Sequence, residues 1–526
     1  MEIDLQLLNG LDLTGAADLE LRMSNRRMPR RPDRLALASR AEDIGKLLRN
    51  RYAKGQFGQP ADLVFADKNR SGRRPMSEMT LQDKVLYRAL VDHLAKSLPS
   101  NVVTRQGNRE FKAAPLQISN AQYVSVTDVS SYYEYIDHER LADELEAQTG
   151  DAPVITVLME LLFRVMGRRI GLPQIHKSSD ILGDTYIDPV RRRMRRAGYQ
   201  VTTYSDDFRI VSSSLADARD ALETCAREVR TLGLTLNESK TFTYSIVSYV
   251  FALQAFADAE RELFRKSDGN DDLFTLLLET DYPDESDEST DSDSQTLGLS
   301  AADAVSEQDA LDATVDDTAI KIGPARAAAA ERALELWVAE LSHPGMTSRR
   351  KSAITESLVA RALPILGRTG NDSAVEHLSA LLRKDPALAP QVSDYVVELA
   401  KTGQRARMKL RKALDQLVDE PSFSLWQKMW IAHAAGSIRA TQTPHRYYQW
   451  LNECVIGAEP PLAATAAAAL GRLKRGDVDV MRQALDRVSP AWRPLVYWGL
   501  ARQDLAAAAD SANDRFEQIL VEELTP

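Results

Sequence analysis

Apolar and polar positions alternate in two short stretches on either side of a pair of acids. Val201 and Tyr204 come before Asp206-Asp207, and Phe208, Ile210 and Val211 come after. Period-two spacing interrupted by turn-forming residues predicts a β-hairpin whose turn carries Asp206 and Asp207. A second alternation, Val124, Val126 and Asp128, predicts a strand ending at Asp128, with a helix following through His138 and Leu141. Ser178 or Ser179 is placed to cap a helix running toward Val190, and Gly233 to close the helix before Leu234. Beyond residue 325 the pattern changes. Apolar residues recur at a spacing of about 3.6 in the runs 333–341, 354–366, 375–382, 392–399, 408–417 and 463–473, punctuated by Gly and Pro. Short helices joined by tight turns predict an all-α, HEAT-like helical-repeat domain, although no strict repeat motif is visible.

Four segments follow from these patterns. Residues 1–74 are polar and basic, with helical stretches. Residues 75–265 mix strands and helices. Residues 266–324 read as an acidic flexible linker, and 325–526 as the helical domain. A chain of 526 residues is long enough for two or three domains. The net charge of −10 argues at first sight against a nucleic-acid binder, but its distribution does not. Residues 267–320 hold 17 acids and no Lys or Arg, whereas residues 1–266 carry 39 basic and 36 acidic residues. Outside the linker, local basic clusters such as 26–34 and 191–196 decide what the surface attracts. Two cysteines, Cys225 and Cys454, build no disulfide framework. The densest apolar run, 154–166, is interrupted by Glu160 and Arg164, short of the roughly 20 residues of a membrane span. A cytoplasmic protein without a membrane segment is expected.

Acids at a strand end and in a hairpin turn are costly unless they bind a cation. Asp128 and the Asp206-Asp207 pair come from separate chain segments, as two-metal phosphoryl transfer requires of ligands holding cations roughly 3.5–4 Å apart. The stretch Tyr204-Ser205-Asp206-Asp207 resembles the Tyr-x-Asp-Asp hairpin of reverse transcriptases. Three further segments fit the same family in the same order: Tyr123 to Tyr133, Gly171-Leu172-Pro173-Gln174 with Ser178 to Asp184, and Leu232-Gly233-Leu234 through Lys240. A fainter likeness to the fingers motif lies in Asp83-Lys84-Val85-Leu86-Tyr87-Arg88. The resemblance covers about residues 75–255. It implies a right-hand polymerase with an α+β fingers and palm.

By that resemblance Asp128, Asp206 and Asp207 are the metal carboxylates and, with Lys240, the catalytic residues. The cofactor is two Mg²⁺ ions, which Mn²⁺ can replace. Tyr133, five residues after Asp128, occupies the position that crowds a sugar 2′-hydroxyl. Gln174 and Arg88 join it as nucleotide-binding residues, Lys240 donates a proton to the leaving pyrophosphate, and Arg105, Arg109 and Lys112 lie where triphosphate contacts are expected. The implied substrates are dNTPs and the implied partners RNA or DNA, with a non-coding RNA and a homo-oligomer as further candidates. Two positions depart from the family pattern: Ile175 stands where Gly is usual, and Asp184 where Asn is usual.

A palm followed by a helical domain resembles the abortive-infection and unknown-group reverse transcriptases of bacterial anti-phage defence. Members of that group can polymerise without a conventional template, some of them from a protein hydroxyl. Tyr395, Tyr447, Tyr448 and Tyr497 are the primer candidates in the helical domain. Two other readings stay open: a conventional templated enzyme using a dedicated non-coding RNA, and a catalytically dead palm serving as a phage-sensing scaffold.

Overall fold

The computed structural model describes residues 2–23, 27–68, 72–104, 107–265, 322–342 and 349–524. The expected linker, 266–324, lies outside the described residues up to position 321.

The N-terminal region folds into the helices Leu5–Gly10, Leu13–Arg22, Pro32–Ala36 and Ala41–Ala53. Asp4 and Asp12 cap the first two by accepting backbone N–H groups of the opening turn. Leu8, Leu13, Ala17, Ile44 and Leu48 form the buried side of this layer. A hairpin of strands β1 (Asp62–Lys68) and β2 (Gly72–Glu78) follows. The expected boundary at residue 74 therefore falls inside a strand. The hairpin escaped the sequence reading because β1 buries Val64 and Ala66 but leaves Leu63 and Phe65 exposed, which blurs its alternation. Next comes the helix Leu81–Ala95, buried along most of its length. Thr80 caps it, accepting from Asp83 N at 3.1 Å and donating to the Asp83 carboxylate at 2.7 Å.

The central sheet has four antiparallel strands: β3 (Tyr123–Asp128), β4 (Gln200–Tyr204), β5 (Asp207–Ser212) and β6 (Phe242–Ser245), in the order β4-β5-β3-β6. Phe208 and Ile210 belong to the main core, with Ala221, Cys225 and Val229 of the helix Leu215–Thr231. Val124 packs with Tyr249 and Leu253 of the helix Ile246–Arg265. The helix Leu215–Thr231 closes as expected. Gly233 has φ 79, its N–H reaches Arg230 O at 3.0 Å, and Leu234 N reaches Val229 O at 3.3 Å. That pair of bonds is the Schellman arrangement.

The C-terminal region is helical throughout its described residues, and every apolar run of the sequence falls on a helix. Glycines set its closest crossing. A Cβ on Gly471 would stand 2.3 Å from Gly499 O, and one on Gly499 would stand 2.5 Å from Ala467 O. The helices Pro460–Leu473 and Arg493–Gln503 thus touch backbone to backbone. This region packs against the N-terminal half. Trp426 Nε1 donates to Arg27 O at 2.5 Å, and Ser424 and Ser489 donate to the β1 carboxylates Asp67 and Asp62. Arg31 donates to Ala491 O at 3.0 Å and lies over the Trp492 ring at 5.0 Å.

Candidate active site

Asp128 is the last residue of β3, and its partner across the antiparallel ladder is Asp207, the first of β5. Residues opposite each other in such a pair project to one face, so the pairing brings two carboxylates from distant chain positions together. Asp206 sits beside them in a two-residue turn, Ser205-Asp206, between paired Tyr204 and Asp207. The sequence reading had both acids in the turn; the register instead puts Asp207 in the strand. Ser205 has φ 52, a left-handed conformation that costs a non-glycine residue about 1–3 kcal/mol. The Tyr133 hydroxyl helps to hold it, donating to Asp180 Oδ1 at 2.7 Å and lying 2.9 Å from Ser205 Oγ. Backbone bonds fix both sides of Asp128: Asn237 N to Asp128 O at 2.8 Å, and Val129 N to Asp206 O at 3.1 Å.

The electrostatics of this corner are unfavourable to three bare carboxylates. Burial, together with the charges of Asp207 and Asp128, pushes the Asp206 carboxyl up to about 7. Burial also raises Asp128, opposed by Lys240, whose Nζ donates to Asp128 Oδ2 at 2.6 Å. Asp128 Oδ1 is buried without a hydrogen-bond partner among the described residues. Arg209 Nη1 lies 3.7 Å from Asp207 Oδ1. Among the described residues no three His, Cys, Asp or Glu side chains form a ready-made metal cage. The donors nonetheless fit a hard divalent cation: all are carboxylate oxygens, one is an orphaned buried acceptor, and the site carries excess negative charge.

Residues 66–272 match the family model for reverse transcriptase (RNA-dependent DNA polymerase). This stretch is a reverse transcriptase domain. The activity it indicates is that of an RNA-directed DNA polymerase, a nucleotidyltransferase. A comparison with curated proteins gave no match.

The match begins at residue 66, inside β1, and takes in β2. The hairpin contributes two cations that the sequence reading missed. Lys68, at the end of β1, is pushed down to about 8 by burial, then by Arg74 of β2 and by Lys240, with Asp206 opposing. The charges of Lys68 and Arg74 thus act on the aspartates, Lys68 on Asp128 and Arg74 on Asp206. No local motif marks these two cations, which lie far along the chain from the carboxylates.

Other expected nucleotide contacts are placed differently. Arg88 is buried in the helix Leu81–Ala95, where its Nε donates to Glu20 at 2.6 Å. Arg105 and the side chain of Arg109 lie outside the described residues, and Lys112 is buried. Gln174 lines a cleft with Ile175, His176, Glu20, Glu78 and Lys84. Ile175 has φ 66. The chain keeps the conformation that glycine would adopt freely, at the strain of a β-branched residue. Neither Ser178 nor Ser179 caps the next helix. It starts after His176, and Ser179 Oγ donates to Pro173 O at 2.5 Å, bracing the loop instead. Asp184 is buried with Arg191 Nη1 3.8 Å from its Oδ1, so its carboxylate has a cation inside the fold.

The four tyrosines suggested as primers lie in the helical core. Tyr395, Tyr447 and Tyr497 are fully buried and Tyr448 nearly so. The Tyr395 and Tyr497 hydroxyls donate to Asn371 O and Ser511 O. Aromatic residues at helical spacing here fill the core. No described helix is long and apolar enough to cross a membrane.

Proposed function

We propose that Asp128, Asp206 and Asp207 hold two Mg²⁺ ions, and that the chain polymerises DNA from dNTPs at this site. The observation that carries the reading is the register pairing of Asp128 with Asp207 beside the Asp206 turn. Bound there, the cations would supply the charge neutralisation and hydroxyl activation that phosphoryl transfer needs. The remaining work falls to the side chains. Lys68 and Arg74 attract the triphosphate from the fingers side. The Tyr133 ring, held by Asp180 and Ser205, crowds the sugar 2′ position and selects dNTPs. Gln174 contacts the incoming nucleotide from its loop. The new bond joins the primer 3′-oxygen to the α-phosphorus. The bond to pyrophosphate breaks, and the Lys240 ammonium delivers a proton to that leaving group.

The finer assignment, to the abortive-infection and unknown-group type active in anti-phage defence, rests on two features. One is a helical, HEAT-like C-terminal region after the palm. The other is the pair of departures at Ile175 and Asp184, which suits weak grip on a template and synthesis without one.

The experiment is incorporation of labelled dNTPs by the purified chain with Mg²⁺, with and without an RNA template and primer, before and after protease. Template-independent label released by protease supports untemplated, protein-primed synthesis. Label that depends on template makes this a conventional reverse transcriptase. Asp206→Ala should lower incorporation at least about 10²-fold while leaving the fold intact. Full activity in that variant would sink the metal assignment.

A further inference from the structure

One buried arginine of the palm shares a strand face with the aspartates. Phe208 and Ile210 of β5 belong to the main core. Side chains alternate along a strand, so Asp207 and Arg209 project from the opposite face. Asp128 lies across from Asp207 in β3. Val126 lies across from Arg209, with Thr202 of β4 on its other side. β5 is an inner strand of the sheet, and Arg209 is only 8% exposed on it. A guanidinium there is costly unless its surroundings supply partners.

The partners it has lead back to the metal corner. Nη1 lies 3.7 Å from Asp207 Oδ1 and donates to Phe208 O at 3.1 Å. The guanidinium lies over the Phe111 ring, 4.9 Å from its centroid. Nε is buried without a hydrogen-bond partner among the described residues. A purely stabilising arginine would satisfy its donors; this one leaves Nε unmet while staying beside the carboxylate. Phe111 is fully buried in the helix Asn108–Ala113, and its ring lies 5.6 Å from that of Tyr204. It therefore packs on both strands of the hairpin that carries Ser205-Asp206. The next residue is fixed in turn by Tyr249, whose hydroxyl donates to Lys112 O at 2.8 Å. Contacts thus run from the helix Ile246–Arg265 through Phe111 and Arg209 to Asp207.

We propose that Arg209 is a positioning residue of the metal site: it holds the Asp207 carboxylate through Oδ1, so that the other oxygen is offered to the cations, and Phe111 holds the guanidinium. This rests on the reading of Asp207 as a metal ligand. A carboxylate already fixed loses less freedom when a cation binds, and groups that orient a ligand govern affinity without touching the ion. Lysine cannot take this part, because its ammonium is a point charge on a flexible stem, with no plane to stack and no fork.

The test is Mn²⁺ titration of the full-length chain, read by electron paramagnetic resonance of the free ion, without nucleotide, so that no turnover enters. R209K and F111L both keep the net charge, so a change in either reports orientation rather than Coulomb attraction. R209K should weaken Mn²⁺ binding about 10-fold, and F111L about 3-fold. The double variant should be no weaker than R209K, because Phe111 acts through the guanidinium. Asp206→Ala, which removes a ligand, is the reference for loss of the site. Unchanged affinity in R209K, with a loss in Asp206→Ala, would overturn the positioning role and leave the metal site standing. Unchanged affinity in Asp206→Ala as well would overturn both. If Arg209 only packs the sheet, thermal midpoints fall in R209K and F111L while Mn²⁺ affinity stays put, which also overturns the proposal. Should R209K fail to fold, F111L decides alone, by the same comparison with Asp206→Ala.

Discussion

The Asp206 carboxyl has an ordinary value of 3.8 and is pushed up to about 7. Between those values the folded chain holds a proton that the unfolded chain has released, so this group's contribution to stability falls as pH rises through the window. Cation binding requires the ionised form and strengthens over the same rise. Thermal midpoints should therefore fall from about pH 5 to about pH 8 without divalent cation, and Mg²⁺ should restore them above about pH 7. Asp206→Asn should flatten both dependences; a cation effect that survives in that variant would place the ion elsewhere. Tyr133 makes a second residue-scale case. Its ring packs edge-on against Tyr132 at 5.3 Å and its hydroxyl is tied to Asp180 and Ser205. Tyr133→Ala should raise the ratio of NTP to dNTP incorporation by about 10-fold or more. Tyr133→Phe should change that ratio little, because the ring remains. The acids of this site were legible in the sequence because a strand-end Asp and a turn with adjacent acids leave local signatures. Lys68 and Arg74 were not, because an isolated basic residue looks the same whether it faces solvent or an aspartate. Arg88 shows the converse: only the fold reveals that it pairs with Glu20.

Elements were legible wherever periodicity ran for several turns. The six apolar runs after residue 325 all lie on helices, and the palm strands β3, β4 and β5 follow their alternation. What periodicity does not encode is which faces meet and how closely. Ser179 illustrates this: a serine before a helix reads as a cap, yet a bond to Pro173 O draws its side chain into the preceding loop. The glycine crossing is another such feature. Gly471 and Gly499 read as ordinary punctuation in sequence, but each occupies a place where a Cβ would strike the opposite backbone. Gly499→Ala should destabilise by about 1–3 kcal/mol through overpacking, measured by urea unfolding. Gly457→Ala provides the contrast. Gly457 ends the helix Arg446–Gly457 with nothing within 4 Å of a Cβ, so the change should be neutral or stabilising by up to about 1 kcal/mol. Equal effects at the two positions would mean that the helices do not meet at Gly499.

Across the whole molecule, the N-terminal region, the β1–β2 hairpin and the C-terminal helices share one continuous apolar core. Arg31 ties the three together. It donates to Asp33 at 2.7 Å and to Glu78 of β2 at 3.2 Å, and it reaches Ala491 O and the Trp492 ring in the helical region. Its two carboxylates are not equally dependent on it. Glu78 also pairs with Arg34 and Lys84, whereas Asp33, almost fully buried, pairs with no other cation among the described residues. Arg31→Ala should therefore cost roughly 3–5 kcal/mol, since it strands a buried charge. Arg34→Ala should cost less, because Glu78 keeps two partners. The loss should also loosen the seam. All six tryptophans lie at position 337 or beyond, so tryptophan fluorescence reports the helical region alone while far-UV dichroism reports the whole chain. In the parent protein the two urea transitions should coincide, as for one cooperative unit. In Arg31→Ala they should separate, with dichroism beginning to fall first as the N-terminal half opens. Adding Asp33→Ala should recover part of the stability by removing the stranded charge, yet leave the transitions apart, because the contacts to Ala491 and Trp492 stay broken. Coincident transitions in Arg31→Ala would mean that the apolar core holds the halves together without this arginine.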